Sequence, residues 1–228
     1  MALTLHYHPL SSYCHKVLIA LDELGLEAEL RMVNLGDPAA RAAYAELWPT
    51  GKIPLLVDAG RVVPETSIQI EHLQLHHARD GRELIPGDRT AALDVRLWDR
   101  MFDLHVMTPM NVHTSHLLCP AERRDPVAVE EATGKLLMAY ALIDRQLEGR
   151  TWITGEAFTL ADCAAAPSLF YAVAYVPPPA GLDRLDAYFE RLMARPSVAR
   201  AVDQARPWFQ YFPGRDGLQR RFYDPTSA

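Results

Sequence analysis

The sequence predicts an α/β domain followed by an all-α domain. Strand and helix patterns alternate through the first 80 residues in the order β-α-β-α-β-β-α, and helical patterns alone follow. A charged segment with glycines and a proline separates the two patterns, as linkers do. We therefore expect one domain over residues 1–80, a linker over 81–88 and a helical domain over 89–228.

The first domain begins with a strand and a helix whose ends are marked in the sequence. Leu3, Leu5 and Tyr7 alternate with polar residues, which predicts a strand. Ser11 or Ser12 is suited to cap the next helix, and Gly25 is suited to end it. The remaining patterns predict a strand at 28–32, a helix at 37–47, hairpin strands at 53–57 and 61–63, and a helix at 68–77. The hairpin makes the predicted sheet mixed rather than fully parallel.

Apolar residues recur at helical spacing through the second half. Leu93, Leu97 and Leu104 follow this spacing directly after the linker and predict a long helix. Thr159 and Asp162 form a capping box in which aspartate replaces the usual glutamate or glutamine. Further helices are predicted at 127–147, 159–175, 182–193 and 198–205.

Composition and charge exclude several classes of protein. Of the 228 residues, 49% are hydrophobic and 23% are charged, which is the balance of a folded globular chain. The formal net charge of −6 argues against nucleic-acid binding, which needs a basic surface. The three cysteines form neither a disulfide framework nor a zinc knuckle. There is no signal-peptide pattern and no run of about 20 apolar residues, so we expect a cytoplasmic protein without a membrane partner.

The first candidate for chemistry is the start of the first helix, Ser11-Ser12-Tyr13-Cys14. Free backbone N–H groups and the helix dipole make such a position suitable for an anion. On this feature alone, a plain N-cap is the simpler reading.

Two further motifs follow in the same domain. A cis bond between Ile53 and Pro54 would leave the main chain of Ile53 free for an extended ligand, although most X-Pro bonds are trans. Glu65-Thr66 stands at the start of another helix, where it suits a ligand's ammonium and carboxylate groups or serves only as a cap.

Together and in this order, these motifs resemble the cytosolic glutathione transferase family over essentially the whole chain. The specific elements are Gly51-Lys-Ile-Pro54, Glu65-Thr66 and Thr159-x-x-Asp162. The resemblance implies a thioredoxin-like first domain. The stretch around Ser11 is similar to the serine- and cysteine-using classes, zeta above all, but Tyr13 stands where zeta members have cysteine and leaves the subclass open.

The resemblance implies a glutathione site, with glutathione as co-substrate. Ser11 is expected to contact the sulfur and Ser12 to assist it. The expected binding residues are Lys52 near the glycyl end, Ile53 with cis-Pro54 along the cysteinyl unit, and Glu65 with Thr66 at the γ-glutamyl end.

The second substrate is expected to lie against the helical domain. Candidates for this electrophile pocket are Phe102, His105, Met110, Trp208 and Phe209, which equally suit the core or a dimer contact.

Cys14 is expected to be a packed small residue, with a mixed disulfide with glutathione as the alternative.

The histidines do not predict a metal site. His72 and His76 are four residues apart and His113 and His116 are three apart, but neither pair has an evident carboxylate partner in the sequence. We therefore expect solvated or helix-packing histidines and no metal.

The activity implied by the resemblance is that of a glutathione S-transferase. Such an enzyme activates the glutathione thiol as a thiolate for attack on a hydrophobic electrophile, typically in detoxification, and works as a homodimer. Two alternatives stay open: a glutathione-dependent isomerase of the maleylacetoacetate type or an ether-cleaving lyase, and a non-catalytic interaction protein with the same fold.

Overall fold

A computed structural model describes residues 3–34, 36–79 and 81–224. Its first part has the predicted order. The elements are β1 (Leu3–Tyr7), α1 (Ser12–Leu24), β2 (Glu29–Met32), α2 (Pro38–Leu47), β3 (Leu55–Asp58), β4 (Arg61–Val63) and α3 (Thr66–His77). The predicted β-α-β-α-β-β-α pattern is therefore confirmed, with ends that differ by one or two residues.

The four strands form one mixed sheet in the order β2-β1-β3-β4. β1 pairs with β2 in parallel, and its other edge pairs with β3 in antiparallel fashion. β3 and β4 form the predicted hairpin. Helices α1 and α3 pack on one face through apolar side chains such as Val17 and Ile70, whereas Tyr44 of α2 packs on the other face. This arrangement brings the N-terminal ends of α1 and α3 to the start of β3.

Both ends of α1 are capped as the sequence predicts. The Ser11 side chain accepts a hydrogen bond from the backbone N–H of Cys14, and the segment before the helix is extended. Gly25 adopts the left-handed conformation (φ 66°), in which its N–H bonds the last free carbonyls of the helix. Ser11 therefore marks the exact start of the helix.

The helical half follows the segment 81–88. It contains α4 (Arg89–Phe102), a π-helical turn (Asp103–Met107), α5 (Thr108–Leu118), α6 (Pro126–Gln146), α7 (Leu160–Tyr175), α8 (Asp183–Ala194), α9 (Pro196–Ala205) and α10 (Arg220–Tyr223). A 3-10 turn, Arg206–Tyr211, joins α9 to the C-terminal part. The all-α prediction is confirmed, but the π-helical turn in the first long helix was not expected.

The connecting segment is packed rather than free. Leu84 and Ile85 are buried, and the side chain of Gln74 in α3 bonds the backbone of both residues. One hydrophobic cluster includes residues from the sheet, α1, α3 and the helical half. The two halves therefore share a core.

The spacing of Leu93 and Leu97 predicted the helix correctly but not what its apolar stripe packs against. Both side chains are exposed, as are those of Ile68 and Leu75 on α3. The buried face of α4 is formed instead by residues such as Val95 and Phe102. An apolar stripe therefore faces outward on this side of the described chain.

Helix α7 is buried on all sides and begins at the predicted capping box. Asp162 accepts bonds from the backbone N–H of Thr159 at 2.8 Å, from the N–H of Ile153 at 3.1 Å and from the Tyr188 hydroxyl at 2.6 Å. The fully buried Asp162 carboxylate is stable here because neighbouring hydrogen-bond donors satisfy both of its oxygens. Within the described ranges, no helix combines the length and apolar character needed to cross a bilayer.

Candidate active site

The start of α1 is the first part of the candidate site. Ser11 Oγ accepts the Cys14 N–H at 3.3 Å, and the Ser11 hydroxyl is also within hydrogen-bonding reach of the Cys14 thiol. Ser12 is in the first turn and is buried. The free N–H groups and dipole of this helix end favour an anion in front of it. Ser11 is therefore placed to donate a hydrogen bond to a negatively charged ligand atom.

Cys14 lies behind this turn and is fully buried. Its Sγ accepts the backbone N–H of His8 at 3.5 Å. Burial raises the pKa of the Cys14 thiol to about 12, so the thiol is protonated at neutral pH. A neutral, inaccessible thiol is a packing group and a poor nucleophile.

The loop before β3 forms the second part of the candidate site. The Ile53–Pro54 peptide bond is cis. The carbonyl of Lys52 accepts the Tyr44 hydroxyl at 2.7 Å, and the carbonyl of Pro54 accepts the Gln69 amide at 2.9 Å. These bonds hold the residues on each side of Ile53, whose own N–H and C=O make no hydrogen bond with the described residues. Lys52 itself is exposed.

Glu65 occupies the start of α3 in an unusual conformation. Its φ is 63°, which is uncommon for a residue with a side chain and is often found at functional sites. Its carbonyl accepts the N–H of Gln69 at 2.8 Å, while its carboxylate is exposed and makes no capping bond. Thr66, the first residue of the helix, is buried. The exposed carboxylate and the helix end together suit a ligand that carries both an ammonium and a carboxylate.

A buried charge network ties these elements to the helical half. Lys16 Nζ lies 2.5 Å from Asp99 Oδ1 and 2.9 Å from Asp103 Oδ2, and it donates to Ser67 Oγ at 3.2 Å. Arg100 contacts Ser67 and both carboxylates, which balances the charge. Burial raises the pKa of Asp103, and the Lys16 ammonium opposes this shift. The network fixes α1 against the start of α3 and the C-terminal end of α4.

The five predicted electrophile-pocket residues separate into two groups. Phe102, Met110 and Phe209 are buried in the core, with at most 3% of each residue exposed, so they do not line an open surface. His105 and Trp208 are partly exposed. The core alternative therefore applies to the first three residues.

Trp208 brings the helical half close to the start of α1. Its ring lies edge-on to His8, with ring centroids 5.2 Å apart. His8 directly precedes the loop that leads to Ser11, and burial lowers its pKa, so it is neutral at pH 7. Tyr13 lies two residues after Ser11. Burial raises the pKa of its hydroxyl to about 12, so Tyr13 is protonated at neutral pH and does not act as a base. The sequence reasoning missed His8, because a histidine after a strand carries no local signal of function.

The expectation that His72 has no carboxylate partner is wrong. His72 Nε2 lies 2.9 Å from Asp58 Oδ2, and His77 Nε2 lies 2.7 Å from the same oxygen. The partner was not evident because Asp58 is 14 residues away in sequence, at the end of β3. His76, which the sequence suggested as the second member of the pair, is exposed; its ring packs against that of His72, with centroids 4.4 Å apart, but it is not among the residues that converge on Asp58.

Comparison with known proteins gives consistent matches in both halves. The family models "Glutathione S-transferase, N-terminal domain" and "Glutathione S-transferase, C-terminal domain" match residues 10–75 and 106–196. Glutathione S-transferase GST-4.5 of Xanthomonas campestris is 30% identical over 70% of this chain and 78% of its own length. Glutathione S-transferase 3 of Zea mays is 27% identical over 88% of this chain and 93% of its own length.

A solved structure agrees over a similar span. The glutathione S-transferase of Methylobacillus flagellatus, crystallised with glutathione bound, superposes with a TM-score of 0.79. It is 26% identical, and the match covers 88% of this chain and 98% of that chain.

Proposed function

The chain belongs to the cytosolic glutathione S-transferase superfamily, and we propose that it is a serine-type member in which Ser11 stabilises the glutathione thiolate for attack on a hydrophobic electrophile. Glutathione is the co-substrate of the family. The observation that carries the mechanism is the position of the Ser11 hydroxyl at the N-terminus of α1.

The energy that this mechanism requires is available from these groups. A free thiol has a pKa of about 8.5, so a few per cent is ionised at pH 7. Lowering that pKa by about two corresponds to about 2.7 kcal/mol of preferential thiolate stabilisation. A hydrogen bond to a charged group contributes about 1.5–3 kcal/mol, and a helix N-terminus about 0.3–1 kcal/mol. Ser11 and the end of α1 together are sufficient.

The rest of the tripeptide has matching groups along the cleft. The unpaired main chain of Ile53 suits the cysteinyl unit, because an extended peptide binds an exposed backbone edge through N–H and C=O groups. The Glu65 carboxylate and the buried Thr66 suit the ammonium and carboxylate of the γ-glutamyl unit. Exposed Lys52 suits the glycyl carboxylate. Ser12 is proposed to assist Ser11.

On the electrophile side we propose His8, Tyr13, His105 and Trp208. The edge-on contact between His8 and Trp208 gives this side an aromatic surface. Such a surface fits a neutral, hydrophobic substrate. An isomerase or lyase acting on the same glutathione adduct would need a polar or basic group at this position, and a substrate screen with carboxylated and uncharged electrophiles separates these reactions.

We also propose that the protein is a cytoplasmic homodimer. The exposed side chains of Ile68, Leu75, Leu93 and Leu97 form an apolar patch on α3 and α4, whereas isolated soluble chains rarely expose contiguous patches of this kind. In the dimer that we propose, this patch lies in the contact between the first domain of one subunit and the helical half of the other.

The test is binding to immobilised glutathione, followed by measurement of thiolate absorbance in the complex. The parent protein should be retained and should show a thiolate signal at neutral pH. Retention without a thiolate signal would remove the proposed mechanism, and loss of both would favour a non-catalytic interaction protein.

Replacing Glu65 tests the docking mode separately. Glu65→Ala should weaken glutathione binding by about 10-fold, because one charge-assisted bond to the ammonium is lost. Glu130→Ala, an exposed glutamate on α6, is the matched control and should bind as the parent does. Equal affinity of the parent and Glu65→Ala, measured by calorimetry, would contradict the assigned contact.

A further inference from the structure

A cluster of two histidines and one carboxylate lies outside the glutathione cleft. Asp58 is the last residue of β3, and His72 and His77 belong to α3. Both Nε2 atoms approach Asp58 Oδ2, at 2.9 and 2.7 Å. The second carboxylate oxygen, Oδ1, is buried and has no hydrogen-bond partner among the described residues. This group of donors is therefore convergent and incompletely satisfied.

We propose that Asp58, His72 and His77 bind a Zn²⁺ ion. One ligand atom from each residue lies within 4.8 Å of the other two. Two imidazoles with one carboxylate are typical ligands of Zn²⁺ and related transition metals, whereas Mg²⁺ and Ca²⁺ prefer oxygen ligands alone.

The observed distances are close to those of a bound site. Bonds of about 2.0–2.2 Å in tetrahedral geometry place neighbouring ligand atoms about 3.3 Å apart. The present N–O separations of 2.7 and 2.9 Å would therefore widen by about 0.5 Å, which small side-chain rotations supply. Water completes the coordination, because Asp58 and His77 are partly exposed at 12% and 19% of their side-chain surface.

The proton balance is simple. In the metal-free form, hydrogens on the two Nε2 atoms are donated to Asp58 Oδ2. On binding, each neutral imidazole carries its hydrogen on Nδ1 instead, and the ion takes the place of the two shared hydrogens.

The ion would link the turn of the β3–β4 hairpin, at Asp58, to α3, at His72 and His77. At a rise of about 1.5 Å per residue, Thr66 at the start of α3 is about 9 Å along the helix from His72 and about 16 Å from His77. This link would stabilise the first domain without touching the reacting groups, and it does not depend on the proposed transferase mechanism.

The test uses Co²⁺ as a spectroscopic probe on the full chain without a histidine tag. Co²⁺ should give saturable visible bands of a low-coordinate site at one ion per chain, and Zn²⁺ should displace it. Zn²⁺ should also raise the melting temperature of the parent by mass action. His77→Gln and Asp58→Asn should lose the visible bands and the thermal shift. His116→Gln, on α5 and outside the cluster, should keep both.

Three outcomes would overturn the proposal. Absence of saturable bands would mean that the cluster is held by hydrogen bonds alone. Bands that persist in His77→Gln would place the ion elsewhere. A thiolate-to-cobalt charge-transfer band would assign it to a cysteine, of which Cys119 is the partly exposed one.

Discussion

Replacing Ser11 by alanine should remove most of the turnover while leaving glutathione binding nearly intact. In the structure, the Ser11 side chain accepts the Cys14 N–H at 3.3 Å, and we propose that its hydroxyl donates to the sulfur of bound glutathione. The first contact is a helix cap, and the second is proposed to be a charge-assisted bond. Ser11→Ala removes both contacts, and each has a separate measurable consequence.

The magnitudes follow from these two contacts. Loss of the cap should cost about 1 kcal/mol of unfolding free energy. Loss of a bond to the thiolate, about 1.5–3 kcal/mol, should raise the pKa of bound glutathione by about one to two. The thiolate fraction at neutral pH, and with it kcat, should then fall by about 3- to 25-fold. Contacts with Ile53 and Glu65 are unchanged, so the Kd for glutathione should change little.

The assay combines a pH–rate profile, an ultraviolet titration of bound glutathione and urea denaturation. Asp125→Ala is the matched control, because Asp125 caps α6 through the N–H groups of Val127 and Ala128. It should lose a similar amount of stability and keep the parent pH profile. If Ser11→Ala keeps the parent thiol pKa and rate, the reasoning is refuted, and Ser12 or the backbone donors of α1 would carry the role.

Two further predictions concern stability. Burial lowers the pKa of His15 to about 4, below its value of about 6.5 in the unfolded chain, so the unfolded chain takes up the proton first as pH falls. Unfolding free energy should therefore drop by about 3 kcal/mol between about pH 6.5 and pH 4. In urea titrations, the unfolding free energy of His15→Gln should depend less steeply on pH than that of the parent. Equal slopes would rule out His15 as the cause. Asp162→Asn should lower unfolding free energy by about 2–4 kcal/mol, because an amide cannot accept from all the buried donors around it. Asp88→Asn, at an exposed cap, should cost less than about 1 kcal/mol, and equal denaturation midpoints for the two variants would contradict the account.

The site was predictable where it depends on short stretches of chain. Ser11 as a cap, the order of Ile53-Pro54 and Glu65-Thr66, and the family resemblance that they carry all depend on residues close together in sequence. Gln69 was not predicted, although its amide holds the Pro54 carbonyl, because the two residues meet only when α3 packs against β3. The roles of Ser11 and Glu65 toward glutathione stay predictions.

The helical half shows the same division. The spacing of Leu93 and Leu97 correctly predicts a helix, since an apolar stripe follows from the 3.6-residue period. The period does not say what covers the stripe, and both side chains are exposed in the described chain. An apolar pattern indicates that a face avoids water, but its partner is set by the packing of other elements or of another chain.

Taken alone, the sequence determined the elements, their caps and turns, and the family, because these depend on interactions within a few residues of each other. Tertiary structure decided which distant groups meet: Lys16 with Asp99 and Asp103, His8 with Trp208, and Asp58 with His72 and His77. Such pairs leave no local pattern, since each residue is an ordinary polar or aromatic residue in its own segment. These contacts matter because they are buried: an unpaired charge is costly there, and a converging set of donors selects one kind of ligand.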